Sequence, residues 1–262
     1  MEIKQNSAKE PNAEKDSMKM LRDYVYPELW KKSEKSGWMS GRAFLAPTNK
    51  QVDEINDLIT DSFPRKPAVL TSSDELINPN DFQRYNIEYL NTLSPTGLPT
   101  HRLFIKPGMP LMLMRNLNPK MGLCNGTRLI FNKVHNIHLL ECTIAGGEHS
   151  SRKVLIPRIT LKPKDREYPF EWCRRQFPVR VAFAMTINKS QGQTLSNVGV
   201  WLNDPCFAHG QLYVCISRVG SSQHIKFAIR KNDGIKWNCT SNVVYKEVLI
   251  KGRWNKIYKI FF

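Results

Sequence analysis

The chain has 262 residues, long enough for one large domain or two small domains with a sizeable core. Its 39 Lys and Arg residues outnumber 23 Asp and Glu residues, giving a formal net charge of +16. Such an excess favours a polyanionic partner over a protein surface that merely happens to be basic. No run approaches the ~18 apolar residues of a membrane span, and the first residues lack an apolar signal region. We therefore predict an intracellular, soluble protein with no membrane partner.

The six cysteines contain no C-x-x-C pair, and most lie among apolar neighbours: Cys124, Cys142, Cys173, Cys206, Cys215 and Cys239. Buried free thiols in a reducing compartment explain this pattern better than a disulfide framework does.

The first part of the chain predicts a tail followed by a strand–loop–helix unit. Residues 1–20 offer little to bury and are expected to be disordered. The apolar residues of 21–30 predict one short helix, and 41–49 predicts a buried strand that Pro47 stops. Val52, Ile55, Leu58 and Ile59 then recur at helical spacing. Thr48 and Asn49 fall where the strand meets this helix, and such ends gather ligands in parallel α/β sheets.

The middle of the chain has a different character, with short β-like runs separated by turns. We predict strands at 109–114, 127–131, 137–144 and 153–159, and Asn125-Gly126 is a strong hairpin signal. Several short strands of this kind indicate a small β-barrel, separate from the flanking α/β material.

The α/β pattern resumes near residue 178. A strand over 179–185 leads into a polar turn, followed by a strand at 198–202, a helix at 208–219 and an alternating strand at 225–229. The predicted α/β domain is thus interrupted by the barrel.

Two polar clusters stand out in this last part, Ala184–Leu195 and His209–Arg218. Lysine, amide and arginine groups at element ends are suited to gripping phosphates. On residue chemistry alone, Arg218 fits a phosphate contact and a solvated cation at a helix C-terminus equally well.

The two clusters resemble motifs V and VI of PIF-type (petite integration frequency) DNA helicases, close to the branch carried by Helitron transposons. The resemblance runs from about Ala43 to Tyr245. It implies a RecA-like second motor domain, an α/β lobe of the P-loop NTPase type called 2A, interrupted by a Src-homology-type β-barrel called 2B. The expected boundaries are a tail at 1–20, domain 2A at 21–95, the 2B insert at 96–164 and the rest of 2A at 165–262.

The resemblance also implies roles for individual residues. Arg218 resembles an arginine finger, which stabilises charge on a transferring phosphate and is the expected catalytic residue. Gln191, Gly192 and Gln193 correspond, with Arg218, to the nucleotide-facing positions. The positions that correspond to DNA contacts are Thr48, Asn49, Thr186, Asn188, Lys189 and Ser190, with Arg115 and Asn116 in the barrel. Many relatives have histidine at the position of Asn188, and the transposon branch tends to use asparagine.

Purely structural explanations remain open for several of these positions. Thr48 and Asn49 fit a plain helix cap nearly as well, and Arg115 and Asn116 fit a solvated hairpin tip. Asp53-Glu54 lies inside a helix pattern rather than at a strand end, and His135 and His138 have no accompanying ligands, so we predict no metal site.

No G-x-x-x-x-G-K-[ST] sequence occurs in the 262 residues. We therefore expect the C-terminal half of an ATP-dependent 5′-to-3′ DNA helicase that is inactive alone. ATP and Mg²⁺ would serve the intact enzyme and neither would be bound by this chain alone. Single-stranded DNA and a first motor domain are the expected partners, and the nucleus, or the mitochondrion, is the expected compartment. The alternative is a non-enzymatic module that binds single-stranded nucleic acid; a nuclease is a distant third because no paired carboxylates suit a metal.

Overall fold

A computed structural model describes residues 13–32, 37–164, 167–229, 240 and 243. The helices are α1 (Ala13–Val25), α2 (Leu29–Lys32), α3 (Asn49–Ser62), α4 (Ile87–Thr92) and α5 (Gln211–Ile216). The strands are β1 (Arg42–Ala46), β2 (Ala68–Thr71), β3 (Ser73–Leu76), β4 (Arg102–Ile105), β5 (Pro110–Leu113), β6 (Arg128–Asn136), β7 (Leu139–Ile144), β8 (Lys153–Pro157), β9 (Ile159–Leu161), β10 (Trp172–Gln176), β11 (Val179–Val181), β12 (Ala184–Thr186), β13 (Asn197–Leu202) and β14 (Ile225–Ile229).

The chain forms two compact units, each built from separate stretches of sequence. Unit 1 contains Met1–Lys32, Gly41–Ile59 and Phe183–Phe262, and unit 2 contains Ser33–Ser40 and Thr60–Ala182. Among the described residues, no helix has the length and apolar character needed to cross a membrane.

Unit 1 is an α/β unit around a parallel sheet of four strands in the order β12-β1-β13-β14. The central strands β1 and β13 are almost wholly buried, which is typical of parallel sheets covered by helices, whereas β14 is mostly partly exposed. Helix α1 presents Met18, Leu21 and Val25, all buried, at helical spacing. It packs closely on β13 at Gly199, where an added Cβ would lie 2.6 Å from Val25 Cγ2.

Helix α1 corrects the prediction of a disordered tail at 1–20. The helix begins at Ala13, so residues 13–20 belong to it, while 1–12 lie outside the described residues. The apolar side chains of this stretch are too sparse for the composition to indicate a helix. Met18 nevertheless lies on the buried face with Leu21 and Val25, while Met20 is exposed.

Unit 2 is built mainly from antiparallel strands. Its largest sheet has the order β11-β5-β6-β7-β8, and the four strands predicted from the sequence form β5 to β8. Its core combines buried side chains from these strands, including Leu113, Leu129, Phe131 and Phe177. A second, smaller core lies beside the sheet β3-β10-β9 and helix α4, around Leu90, Phe170 and Trp172.

Unit 2 is wider than the predicted insert at 96–164. Strand β2 pairs with β4 and strand β3 pairs with β10, which draws residues from both sides of that range into the unit. Pairing between strands a hundred residues apart leaves no periodic signal in the sequence, so the sequence did not indicate that these flanking residues join the same compact unit.

The single strand predicted at 179–185 is two strands that belong to different sheets. Val179–Val181 pairs with β5 in unit 2, whereas Ala184–Thr186 pairs with β1 in unit 1. The division between the units falls at Ala182 and Phe183, both fully buried, so an unbroken apolar run hides the boundary.

The prediction of buried free thiols is confirmed for Cys142, Cys206 and Cys215, whereas Cys124 and Cys173 are partly exposed. Cys124, Cys142, Cys173, Cys206 and Cys215 are free thiols, and Cys239 lies outside the described residues. Burial raises the pKa of Cys206 to about 11 and that of Cys142 to about 12, so both stay protonated and unreactive at neutral pH.

Candidate nucleotide and nucleic-acid site

The turn after β12 and the loop after β1 lie at the same edge of the parallel sheet in unit 1. Ala46 and Thr186, at the ends of these strands, are direct partners in the register. The sheet therefore brings Thr48 and Asn49 to the edge that also carries Thr186–Ser190. Carboxyl ends of parallel strands are where ligands gather in open α/β sheets.

The polar turn is compact. A single 3-10 turn spans Ile187–Ser190, and Gly192 follows with φ +78°, a left-handed conformation that favours glycine. The side chains of Asn188, Lys189 and Gln191 are exposed. Three groups with hydrogen-bonding capacity thus face solvent from one short segment.

Arg218 joins this turn to helix α5. Its Nη1 donates to the Ser190 carbonyl and to the Gln193 carbonyl, each at 3.1 Å, and its Nε donates to the Val214 carbonyl at 2.8 Å. Its own carbonyl accepts from the Leu195 N–H at 2.8 Å. The two segments singled out in the sequence are therefore interlocked through one arginine.

One N–H of Arg218 has no acceptor among the described residues. Nη2 carries two N–H groups, and one of them donates to Ser217 Oγ at 2.8 Å. The guanidinium is partly exposed, so the remaining donor can reach a ligand without disrupting the turn.

Thr48 caps helix α3. Its carbonyl accepts from the Val52 N–H at 3.2 Å, and its Oγ1 lies 3.4 Å from the Gln51 N–H. Asn49, the first residue of the helix, is exposed. Thr48 therefore acts as a helix cap, the alternative to a DNA contact that the sequence left open. The exposed side chain of Asn49 can reach a ligand.

Sequence comparison finds similarity to Pif1-type DNA helicases. A family model for the DNA helicase Pif1 2B domain matches residues 88–134. The human ATP-dependent DNA helicase PIF1 is 30% identical over 151 residues, which cover 54% of this chain and 21% of the human protein. The ATP-dependent DNA helicase Pif1 of Bdellovibrio bacteriovorus is 30% identical over 164 residues, 63% of this chain and 34% of that protein.

Solved structures agree at the level of fold. Pif1 helicase from Candida albicans matches with a TM-score of 0.53 and 24% identity, over 83% of this chain and 53% of that chain. Pif1 helicase from Bacteroides in complex with ADP-AlF3 and ssDNA matches with a TM-score of 0.57 and 18% identity, over 91% of this chain and 49% of that chain. This chain is related to Pif1-type helicases. It spans only a fifth to a third of the two relatives' length, and its fold is that of a RecA-like helicase lobe with an insert.

One residue expected at the DNA side of the Pif1-type motif V is not accessible. Ser190 is fully buried, and its hydroxyl donates to the Ile187 carbonyl at 2.6 Å. This hydroxyl stabilises the turn internally, so the prediction of a DNA contact for Ser190 is corrected. Thr186 is partly exposed and its side chain makes no capping bond to the turn.

Arg115 and Asn116 belong to unit 2, in the segment that the Pif1 2B model matches. Asn116 Oδ1 accepts from the Asn125 N–H at 2.7 Å, and Arg115 Nη1 donates to the Met114 carbonyl at 3.1 Å. Both bonds shape the loop between β5 and β6. The role of these two residues in DNA binding stays a prediction.

Two buried polar residues on α3 escaped the sequence reasoning. Asn56 brackets Ala184 of the edge strand β12: its Oδ1 accepts from the Ala184 N–H at 2.9 Å, and its Nδ2 donates to the Ala184 carbonyl at 3.4 Å. Gln51 donates to Asp204 Oδ2 at 2.8 Å, just beyond the end of β13. Both share the buried face of α3 with Val52, Ile55 and Ile59, and a polar residue on such a face was the available signal.

The described residues fit part of a nucleotide site and no metal site. Gln191, the exposed Gly192 backbone and the spare Arg218 N–H suit phosphate oxygens. Gln193 Nε2 instead donates to the Lys189 carbonyl at 3.2 Å, which ties it to the turn. No group of three or more His, Cys, Asp or Glu side chains suited to a metal occurs in the described part of the chain, and Asp53 and Glu54 are exposed on α3.

Proposed function

We propose that this chain is the second motor domain, with its 2B insert, of an ATP-dependent DNA helicase that translocates 5′ to 3′ on single-stranded DNA. The interlocking of the two motif segments through Arg218 carries the proposal, since it couples a DNA-facing turn to a phosphate-facing side chain. Support also comes from the relatives, which are ATP-dependent DNA helicases, and from the charge of +16. Asn188 favours the Helitron-like branch, and with it a nuclear role in transposition or genome maintenance.

In the intact enzyme, the Arg218 Nη2 donor would contact the transferring phosphate of ATP, with Gln191 and the Gly192 N–H beside it. Bound ATP supplies the free energy for translocation. Arg218 stabilises negative charge on the phosphate oxygens, and its bonds to the Ser190 and Gln193 carbonyls hold the guanidinium in place. Asn188 and Lys189 would contact the DNA backbone from the same turn.

The decisive experiment joins this chain to a matching first motor domain that carries a phosphate loop. Arg218→Ala is expected to lower ATP turnover by roughly 10³ to 10⁵, with single-strand affinity nearly intact. Lys189→Ala is expected to weaken DNA binding first and to reduce turnover through lost DNA stimulation. Turnover and DNA affinity are measured for both variants beside the parent.

Lys19→Ala serves as the control for lost charge, because Lys19 is exposed on α1 and outside the turn. If Arg218→Ala leaves turnover within a few-fold of the parent, or if both variants share one phenotype, the proposed division of roles is wrong.

The isolated chain is proposed to be inactive as an ATPase, with or without DNA, because the backbone cradle and lysine of a phosphate loop are missing from the 262 residues. A phosphate-release assay on the purified protein tests this. Turnover that survives purification and disappears in Arg218→Ala would contradict it.

A non-enzymatic module that binds single-stranded nucleic acid is the second candidate. The observation in its favour is that most donors of Arg218 are engaged by protein oxygens, as expected of a residue that only supports a binding turn. In this case the joined motor would bind DNA without DNA-stimulated turnover.

A further inference from the structure

Several exposed apolar side chains lie in one segment of unit 2 that has no part in the proposed function. Twelve large hydrophobic residues are exposed in the described part of the chain, and four of them fall between residues 77 and 89. They are Ile77, Phe82, Ile87 and Tyr89, exposed by 41%, 55%, 53% and 44%. We call these four residues the apolar patch. Contiguous exposed apolar residues mark interaction sites, whereas isolated ones are ordinary, and these four lie close together along the chain.

Aromatic packing orders part of the apolar patch. Tyr85 packs on the buried Phe170 with ring centroids 4.1 Å apart, and it stacks on Tyr89 at 5.9 Å. Phe170 belongs to the smaller core of unit 2, with Leu90 and Trp172. A docking partner would therefore meet aromatic side chains that are already ordered, which lowers the entropic cost of binding.

Two side-chain caps fix the backbone of the apolar patch. Asn78 Oδ1 accepts from the Asn80 N–H at 3.1 Å, at the start of the 3-10 turn Pro79–Gln83 that carries Phe82. Asn86 Oδ1 accepts from the Tyr89 N–H at 2.8 Å, at the start of α4. The presentation of Phe82, Ile87 and Tyr89 is thus set by local hydrogen bonds as well as by packing.

The charge around the apolar patch is opposite to that of the chain. Glu75, Asp81 and Glu88 lie in residues 75–89, the segment that carries the apolar patch. Glu171 lies beside this segment, since its backbone carbonyl accepts from the Ile77 N–H at 2.9 Å. Within 75–89, three carboxylates accompany one basic residue, Arg84, in a chain of net charge +16. Lys162 lies near Cys173, the strand partner of Glu75, and offsets part of this negative charge. Asp74 also lies there but is buried and paired with Arg174 at 2.7 Å.

The combination of exposed apolar side chains and carboxylates argues against nucleic acid as the ligand. Aromatic side chains can stack with nucleobases, but nucleic-acid sites pair such rings with basic residues that follow the phosphates. Here carboxylates would repel a phosphate backbone, and an anionic lipid surface is disfavoured for the same reason.

We propose that the apolar patch is a docking surface for a partner protein, which presents a short segment of apolar side chains flanked by Lys or Arg. The apolar side chains would cover Phe82, Ile87 and Tyr89, and the basic residues would meet Asp81 and Glu88. Electrostatic complementarity of this kind determines which partner binds and how fast it associates. The proposal does not depend on the helicase function.

The test uses two amphipathic helical peptides of three turns, with identical leucines and with either lysines or glutamates on the polar face. Binding to the whole chain is measured by fluorescence anisotropy at low salt. The overall charge of +16 predicts a preference for the glutamate peptide, whereas the apolar patch predicts a preference for the lysine peptide by about 10-fold. Attraction by the overall charge and binding at the apolar patch therefore predict opposite preferences between the two peptides.

Substitutions locate the binding. Phe82→Ser with Tyr89→Ser is expected to weaken the lysine peptide by about 10-fold or more, and Asp81→Lys with Glu88→Lys is expected to invert the preference. Ile137→Ser with Leu155→Ser, two exposed positions elsewhere in unit 2, is the matched control and should change nothing. All substituted side chains are at least partly exposed, and a thermal melt confirms folding of each variant.

Three results would overturn the proposal. The first is equal binding of both peptides or a preference for the glutamate peptide. The second is self-association of the chain that disappears in the serine variant, which would assign the apolar patch to a second copy. The third is loss of single-stranded DNA affinity in the serine variant, which would assign it to nucleic acid.

Discussion

At the scale of single residues, the structural role of Arg218 and its proposed role at the phosphate can be measured separately. Its guanidinium satisfies the carbonyls of Ser190, Gln193 and Val214, so it supports the turn whether or not a nucleotide is present. These bonds establish a structural role for Arg218. The contact with phosphate stays a prediction.

We predict that Arg218→Ala destabilises the isolated chain by about 1–3 kcal/mol, because the carbonyls lose a charged donor. Arg218→Lys should recover part of the loss, since an ammonium keeps the charge but cannot reach all three acceptors. Urea unfolding measures both. Lys19→Ala, an exposed substitution, should stay within about 0.5 kcal/mol; a similarly small effect of Arg218→Ala would show that the bonds contribute little.

His101 connects a buried ion pair of unit 2 to pH. Its Nδ1 lies 2.8 Å from Ser72 Oγ, which donates to Asp74 Oδ1 at 2.6 Å, and Asp74 is bound by the fully buried Arg174. Burial lowers the pKa of His101; the neighbouring Asp74 opposes this shift, and Arg174 and Arg102 add to it.

Because the folded state favours neutral His101, the unfolded chain binds more protons as the pH falls through about 6.5. We predict that the free energy of unfolding decreases as the pH is lowered from 7 through 6.5 towards the lowered pKa of the folded state. His101→Gln should lose less stability over the same interval. Chemical unfolding at a series of pH values compares the two, and parallel curves would exclude His101 as the cause.

At the scale of elements, Asn56 provides hydrogen-bond partners for the backbone of an edge strand. Strand β12 lies at one edge of the parallel sheet, and its outward N–H and C=O at Ala184 would lack partners. The Asn56 amide supplies both a donor and an acceptor from helix α3. The strand that leads into the polar turn is thereby tied to the helix that Thr48 caps.

Asn56→Ala is expected to cost about 1–3 kcal/mol, since it leaves buried backbone groups without partners. Asn56→Asp should also destabilise, because a carboxylate keeps the acceptor for the Ala184 N–H but repels the Ala184 carbonyl. Glu54→Ala, exposed on the same helix, is the control. Equal stability of Asn56→Ala and Glu54→Ala would contradict the role of the amide.

At the scale of the whole molecule, the charge of +16 sets the expected behaviour towards nucleic acid. We predict weak binding of single-stranded DNA without sequence preference, with a log–log salt slope of about −0.7 per contacted phosphate. Lys189→Ala should make this slope shallower by about one contact, and Lys19→Ala should not. Titration of a labelled oligonucleotide at several salt concentrations measures both, and binding that is insensitive to salt, or absent at low salt, would exclude the prediction.

The sequence by itself determined the features that local chemistry encodes. Strands β5 to β8, the strand–helix unit of β1 and α3, and the two polar segments are readable because turn residues and apolar periodicity act within a few residues. The resemblance to Pif1-type helicases depended on the same local residues, and the comparisons confirmed it. Asn188, Lys189 and Gln191 are exposed, and the roles that the resemblance implies for them stay predictions.

Only the tertiary structure decided what depends on distant pairing. The apolar run 179–185 is divided between two sheets, because its first residues pair with β5 and its last residues pair with β1. The tertiary structure buried Ser190 inside the turn and placed Asn56 against β12, although both are polar residues that the sequence assigns to surfaces. Burial and hydrogen-bond partners are set by which chain segments meet in three dimensions, and residue type constrains that choice only weakly.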